Sequence, residues 1–369
     1  MNSQADILVI GGGPAGLAAA IAARQKGLRV LVADACSPPL DKPCGEGLLP
    51  PGVEALRSLG VELSSEIAFP FRSIRFADED ASATAPISQQ SGFGVRRTTL
   101  HRMLIDRATA VGVELLWNAR ISLLRQERLA VNGEPFEPTW YVGADGRNSA
   151  VRSWAGLAPP RPGRARFGFR RHYRVVPWTD SVEVYWGEKS QIVVTPTGPS
   201  EVCVVIFSED RRLRLDRALP MFPQVASKLE GAQSQDAERG DQTALWRLPR
   251  VTRGRVALVG DASGTADALT GCGLSLAFQQ ALQLAEAFER DVLKHYESEH
   301  RRLMRTPGRM SRLLLAMAES AQVRGRALRL FQRRPELFAR LLTVHTSLRP
   351  DASIGARDIL GLGWRILWA

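Results

Sequence analysis

Gly11, Gly13 and Gly16 stand in GxGxxG spacing, and Asp34 follows them. Those types at that spacing bind a dinucleotide. Gly11 permits a tight turn around Pro14 and Ala15, Gly13 lets the backbone approach a pyrophosphate, and Gly16 lets a helix pack closely on a sheet. Helix-start amides favour the phosphates, and Asp34, with Ala35 beside it, accepts from ribose hydroxyls. Further chemistry-bearing residues are spread along the chain. Cys44, Gly45 and Glu46 sit in a loop, where Cys44 and Glu46 are candidates for catalysis and the loop for cofactor contact. Arg97, and less so Arg96, can meet a phosphate or ribityl oxygen, whereas His101 reads as a helix-surface residue. Asp145 with Gly146, and Asp261 after Gly260, can accept from cofactor hydroxyls or loop amides. The amides from Gly271 through Gly273 to Leu274 converge at a helix start, where they would stabilise an electron-rich carbonyl of a bound cofactor or developing negative charge.

The elements that must position these groups are legible in the pattern. Ile7 to Ile10 is a short apolar run, an alanine-rich helix leads to Gly27, and a second run begins at Val30, giving strand, turn, helix and strand. Prolines and glycines between residues 35 and 52 predict a long loop, with helix only from Val53 to Leu59. Residues 66–95 read as a hairpin or edge strands, and a helix follows with Leu100, Leu104 and Ala108 on one face. Residues 121–142 read as short strands ending before Asp145, with Asn148 and Ser149 able to cap the next helix. Residues 165–208 alternate as a one-face-covered antiparallel sheet, with Phe167, Phe169, Tyr173, Tyr185 and Trp186 placed to line a substrate chamber or fill core. Val256 to Val259 forms a strand, and an amphipathic helix starts near Gly273.

From Lys294 to Leu348 the chain reads as basic helices, with eleven arginines between Arg301 and Arg340. Leu313, Leu314, Met317, Ala321, Leu328, Phe331, Leu337 and Leu341 are expected to pack inward. The tail GLGWRILWA, with Trp364 and Trp368, is suited to fold over the body, close the chamber or contact another chain.

Composition sets the class. A 369-residue chain with 44 % hydrophobic residues can hold a nucleotide domain and a second domain. Four cysteines without a CxxC favour a reducing compartment, and an apolar run long enough to span a bilayer is absent, so a cytoplasmic enzyme is expected. The net charge of +11 comes without a nucleic-acid motif, so nucleic acid is not expected. A solvated face explains the basic helices most simply; an acidic carrier, protein partner or peripheral lipid contact is the alternative.

Taken together, GGGPAG at Gly11–Gly16, VGADGRNSAVR at Val142–Arg152 and VGDASG at Val259–Gly264 resemble the FAD-dependent superfamily of aromatic hydroxylases, the group A flavoprotein monooxygenases, and geranylgeranyl reductases. The resemblance covers about residues 5–290. It implies an α/β fold: a FAD-binding Rossmann-like domain of the glutathione-reductase and aromatic-hydroxylase type, an inserted, mainly antiparallel β-sheet substrate domain, and a helical C-terminus. The expected boundaries are 1–70, 96–160 and 250–295 for the first, 71–95 and 161–249 for the second, and 296–369 for the third. FAD is the implied cofactor, with NAD(P)H or a partner reductase as electron donor. The implied reaction is hydroxylation of an aromatic or other electron-rich substrate through a flavin C4a-hydroperoxide. KPCGEG resembles the loop of the geranylgeranyl reductases, which implies the alternative, reduction of carbon-carbon double bonds in a lipid or isoprenoid. TGCG at Thr270–Gly273 departs from the common TGEG, and the halogenases' WxWxIP segment is missing.

Overall fold

The computed structural model describes residues 5–87, 90–123, 129–157 and 165–347. Strand Ile7–Ile10 lies inside a six-stranded sheet, between Val30–Ala33 and Trp140–Gly143. Both neighbours run parallel to it, as does Val256–Leu258 beyond Trp140–Gly143. Its four residues are buried, as a parallel strand covered on both faces must be. Helices Pro14–Gln25 and Gly273–Glu289 pack against each other on this sheet. Strand ends and helix starts that carry the glycines and acids therefore gather along one sheet edge.

Residues 50 and 51 correct the loop expectation. Helix Pro50–Ser58 begins on both prolines, because the first helical positions need no amide hydrogen and suit the fixed proline φ.

A second sheet joins hairpin Ser73–Ala77 and Ser82–Pro86 to strands Ser181–Trp186, Ser190–Gly198, Glu201–Ser208 and Arg166–Arg174. Its pairing is antiparallel except where Ser181–Trp186 meets Ser73–Ala77. Alternation decides what each residue faces. Val182 and Val184 line the internal cavity, with Val193, Val205 and Phe207 on the paired strands. Tyr185 and Tyr173 belong to the opposite core, around Leu215 and Phe222. Phe167, Phe169, Tyr173, Tyr185 and Trp186 therefore line no part of the cavity; its aromatics are Phe71, Phe76 and Phe207 on the chamber side and Trp154 at the nucleotide end. Parity on Arg166–Arg174 puts Gly168 inward and Phe167 and Phe169 outward, while Trp186 packs edge-on behind Phe76.

Helices Arg305–Glu319, Ala321–Arg333 and Pro335–His345 close the chamber's outer side, whereas helix Leu293–Leu303 packs on Gly273–Glu289 of the nucleotide domain, with Tyr296 in its core. Leu314, Met317, Leu328, Phe331 and Leu341 are buried, Leu313 and Leu337 are half-buried, and Ala321 is exposed. Ser320, extended and accepting from the Val323 amide, ends one helix and caps the next, so the inward face restarts after Ala321. The Trp364 and Trp368 tail lies outside the described residues.

Candidate functional site

One continuous cavity of about 630 Å3 runs from the glycine turn to the C-terminal helices. At its nucleotide end, Gly11 has φ +110° and stands against the Ala144 carbonyl, where a Cβ would fall 2.4 Å from oxygen. A Cβ on Gly16 would lie 1.8 Å from the Gly11 oxygen, so Gly16 serves close packing and does not line the cavity. Gly13 faces open space with Pro14 and Ala15 at the start of the helix. Asp34 receives the Gly12 amide at 2.7 Å and the Cys36 amide at 2.8 Å, and borders the cavity with Ala35. His101 is wholly buried rather than on a helix surface. Its Nε2 donates to the Gly12 carbonyl at 2.8 Å and its Nδ1 accepts from the Leu40 amide at 3.3 Å, so the neutral ring bolts the following loop to the glycine turn. Burial lowers its pKa, which fits that neutral form.

Asp145, Gly146, Gly260, Asp261, Gly271, Gly273 and Leu274 border the middle of the cavity. Asp145 uses Oδ2 to accept the Ala150 and Val151 amides, while Oδ1 is buried without a protein partner. Asp261 follows the strand end, held where Gln280 accepts the Gly260 amide at 2.8 Å; desolvation raises its pKa although Arg97 and Lys42 oppose the shift. Gly271 adopts φ +64°, and helix Gly273–Glu289 begins two residues later with open space beside both glycines. Arg97 borders the cavity with its buried Nε unpartnered. Arg96 instead pairs with Glu201 and Gln235 in the sheet domain, away from the cavity lining.

The Cys44–Glu46 loop has a different construction from the one its sequence suggests. Glu46, at φ +60°, has a buried carboxylate with both oxygens engaged. Oε1 accepts from the Arg97 amide at 3.0 Å and from Arg170 at 2.9 Å; Oε2 meets His172 Nε2 at 2.5 Å. The carboxylate thus caps helix Arg97–Ala110 from another segment, at the end where negative charge is favourable. His172 Nδ1 meets Asp236 at 2.6 Å, and Arg170 also reaches Asp41 at 3.2 Å. Burial disfavours a charged His172, but its bonds to Glu46 and Asp236 outweigh that and raise its pKa. Glu46 therefore holds the loop rather than standing free as an acid. Glu46, His172 and Cys203 have potential metal-donor atoms within 4.8 Å of one another, yet the cation already placed there is Arg170. Cys44 borders the cavity and its sulfur accepts from the Glu46 amide at 3.3 Å. Desolvation raises its pKa, so it is a thiol rather than an activated nucleophile.

Arg170, His172 and Asp236 were not singled out in the sequence; the available signal was parity, since Arg170 and His172 share the inward face with Gly168. His345 had no such signal. It ends the last helix, borders the cavity, and bonds Thr270 O through Nε2 at 2.8 Å.

Residues 4–304 match the family model described as "FAD binding domain". The chain is 25 % identical over 338 residues to a FAD-dependent urate hydroxylase of Klebsiella pneumoniae, covering 79 % of this chain and 85 % of the relative. A digeranylgeranylglycerophospholipid reductase of Methanococcoides burtonii is 30 % identical over 178 residues, 42 % of this chain and 41 % of that protein. The solved tetrameric 2-methyl-3-hydroxypyridine-5-carboxylic acid oxygenase superposes with a TM-score of 0.74 at 24 % identity, covering 85 % of this chain and 92 % of the other.

Proposed function

The chain belongs to the FAD-binding domain family and is a FAD-dependent oxidoreductase; from that premise we propose that it is a monooxygenase of a small, electron-rich, mainly apolar substrate. The observation that carries this reading is the continuity of the nucleotide-binding cleft with an apolar chamber. The residues fit the cofactor: Asp145 Oδ1 and Arg97 Nε are buried polar atoms without a protein partner, and Gly13, Gly45, Gly271 and Gly273 leave open space where side chains would intrude.

On this reading the turn from Gly11 to Ala15 holds the pyrophosphate, and Asp34 with Ala35 holds the adenosine ribose. Asp145, Gly146, Gly260 and Asp261 hold the ribityl and pyrophosphate region, while Arg97, Cys44 and Gly45 flank the reactive end. The amides at Gly271–Leu274, backed by a 17-residue helix, stabilise negative charge there. Bound FAD supplies the redox and oxygen chemistry, with NAD(P)H or a partner reductase as electron donor. The chain's own part is to orient the substrate against Phe71, Phe76 and Phe207 and to exclude water.

The geranylgeranyl-reductase-like alternative draws on the match over 178 residues and on the Cys44 loop, whose protonated thiol is suited to donate to an alkene carbon. One experiment separates the two. Turnover under labelled O2 with NAD(P)H adds one labelled oxygen to a monooxygenase product; anaerobic addition of two hydrogens to an alkene would replace that reading with the reductase. For a carrier-bound or lipid-borne substrate, Arg301, Arg305, Arg312, Arg329 and Arg333 of the C-terminal helices are exposed and open to an acidic group.

A further inference from the structure

Beside Asp34 the cavity continues along a wall of Cys36, Ala119, Ile121, Ala150 and Trp154, none of them charged. The Ala119 amide donates to the Asp34 carbonyl at 2.8 Å, which fixes this wall to the acid. Ile121 and Trp154 pack against one core, with Leu8, Leu31 and Ala33 of the parallel sheet. The strand that carries Ile121 and the helix that carries Trp154 therefore cover the same sheet face.

Trp154 is held from several sides. It ends helix Ala150–Trp154, whose first two amides donate to Asp145 and whose cap is Ser149, accepting from the Arg152 amide at 2.9 Å. The buried Arg152 donates to the Ala262 and Arg147 carbonyls at 3.1 and 2.8 Å and so pins the helix to the neighbouring loops. Ala150 and Trp154 stand four residues apart and share the face turned to the cavity, whereas Val151 faces the core. Trp154 is only half-buried, unlike Leu8, Leu31 and Ala33 of that core, so part of its surface stays open where it borders the cavity.

The base of a dinucleotide is joined to the sugar whose hydroxyls Asp34 would receive, so it must lie within a sugar's breadth of that acid. An uncharged wall carrying a fixed, partly open indole suits a planar heteroaromatic base, because stacking needs a flat π-face and no charge. We propose that Trp154 is the stacking platform for the adenine of FAD, with Ile121 bordering the base from the neighbouring strand. The inference rests on the proposed placement of the ADP half at the glycine turn and Asp34, and adds the group that grips the base. Trp154 thus contributes to retention of the dinucleotide and nothing to a flavin that lacks the AMP half.

The test titrates the full chain, freed of flavin, with FAD, FMN and ADP. Trp154→Leu should weaken FAD binding by about tenfold, the size of one lost base–aromatic stack, and leave FMN affinity unchanged. Trp154→Phe keeps a ring face and should recover most of the FAD affinity. ADP should quench part of the tryptophan emission, and that part should be missing in Trp154→Leu. Unchanged FAD affinity in Trp154→Leu overturns the assignment. An equal loss for FAD and FMN also overturns it, since it marks a residue that only supports the fold. Gly13→Val, which fills the open space at the turn, separates the two readings. Weakened FAD binding in Gly13→Val but not in Trp154→Leu removes Trp154 alone, and unchanged binding in both removes the placement of the ADP half as well.

Discussion

At the scale of single residues, Glu46 and His172 carry more of the site's construction than their sequence neighbourhoods suggest. Replacing Glu46 by Gln keeps the shape but leaves Arg170 and His172 with an uncharged partner in a buried setting. We expect Glu46→Gln to lower FAD affinity by about tenfold or more, read by fluorescence of released flavin, because the charge-assisted bonds to Arg170 and His172 that fix the loop are lost. Retention of wild-type affinity would remove Glu46 from cofactor positioning. The pH dependence has two limbs. His172 has a raised folded pKa, so its contribution is complete below 6.5, its ordinary value, and fades as pH rises through the folded value. Burial pushes the Asp236 pKa up, but its bonds with His172 bring it net below 3.8, so its contribution is present above that value and fades as pH falls. FAD retention should therefore be firmest in the weakly acidic range and weaken toward alkaline pH in a way that His172→Gln abolishes. His300 gives the opposite sign: burial beside Ser263 lowers its pKa to about 4. Its folded form resists protonation, so stability should fall on the order of 3 kcal/mol as pH drops from 6.5 toward 4, and denaturant melts of His300→Gln should lose that slope.

At the scale of elements, what was legible depended on whether local pattern or distant contact made the decision. The strand, turn, helix and strand through Asp34 follow from apolar runs and glycine spacing because parallel strands and a tight turn impose those demands locally. The start of helix Pro50–Ser58 was obscured because proline both breaks helices and opens them. Chamber-lining aromatics were missed because alternation tells which residues share a face but not which face meets the cavity. Glu46 was recognised as a loop residue of interest, whereas its partners Arg170 and His172 lie more than a hundred positions away. The glycine turn makes a direct prediction at this scale. Gly16→Ala places a methyl against the Gly11 carbonyl of the same turn, so the helix must move off the sheet. Expected is a loss of about 1–3 kcal/mol in unfolding free energy together with weaker FAD binding; unaltered values for both would mean that the turn can yield without cost.

At the scale of the whole molecule, two sheets with separate cores share one cavity, and the last three helices, from Arg305 to His345, close the substrate side of it. Phe338 is the joint. Its wholly buried ring stacks on Phe331 at 4.9 Å and packs against Phe76 of the hairpin at 5.0 Å, tying the helices to the sheet without touching the glycine turn. The residues that hold the nucleotide end belong to other elements, around Ile7, Val9 and Phe278. Phe338→Ala should therefore cost about 3–5 kcal/mol locally and enlarge the chamber. Near room temperature the variant should keep bound FAD while losing most affinity for an apolar ring probe. On heating, the loss of helix signal should precede flavin release, giving two separated transitions where the parent gives coincident ones. A single coincident transition in the variant would mean that the two cores unfold as one unit, and the helices would then support the nucleotide end as strongly as they support the chamber.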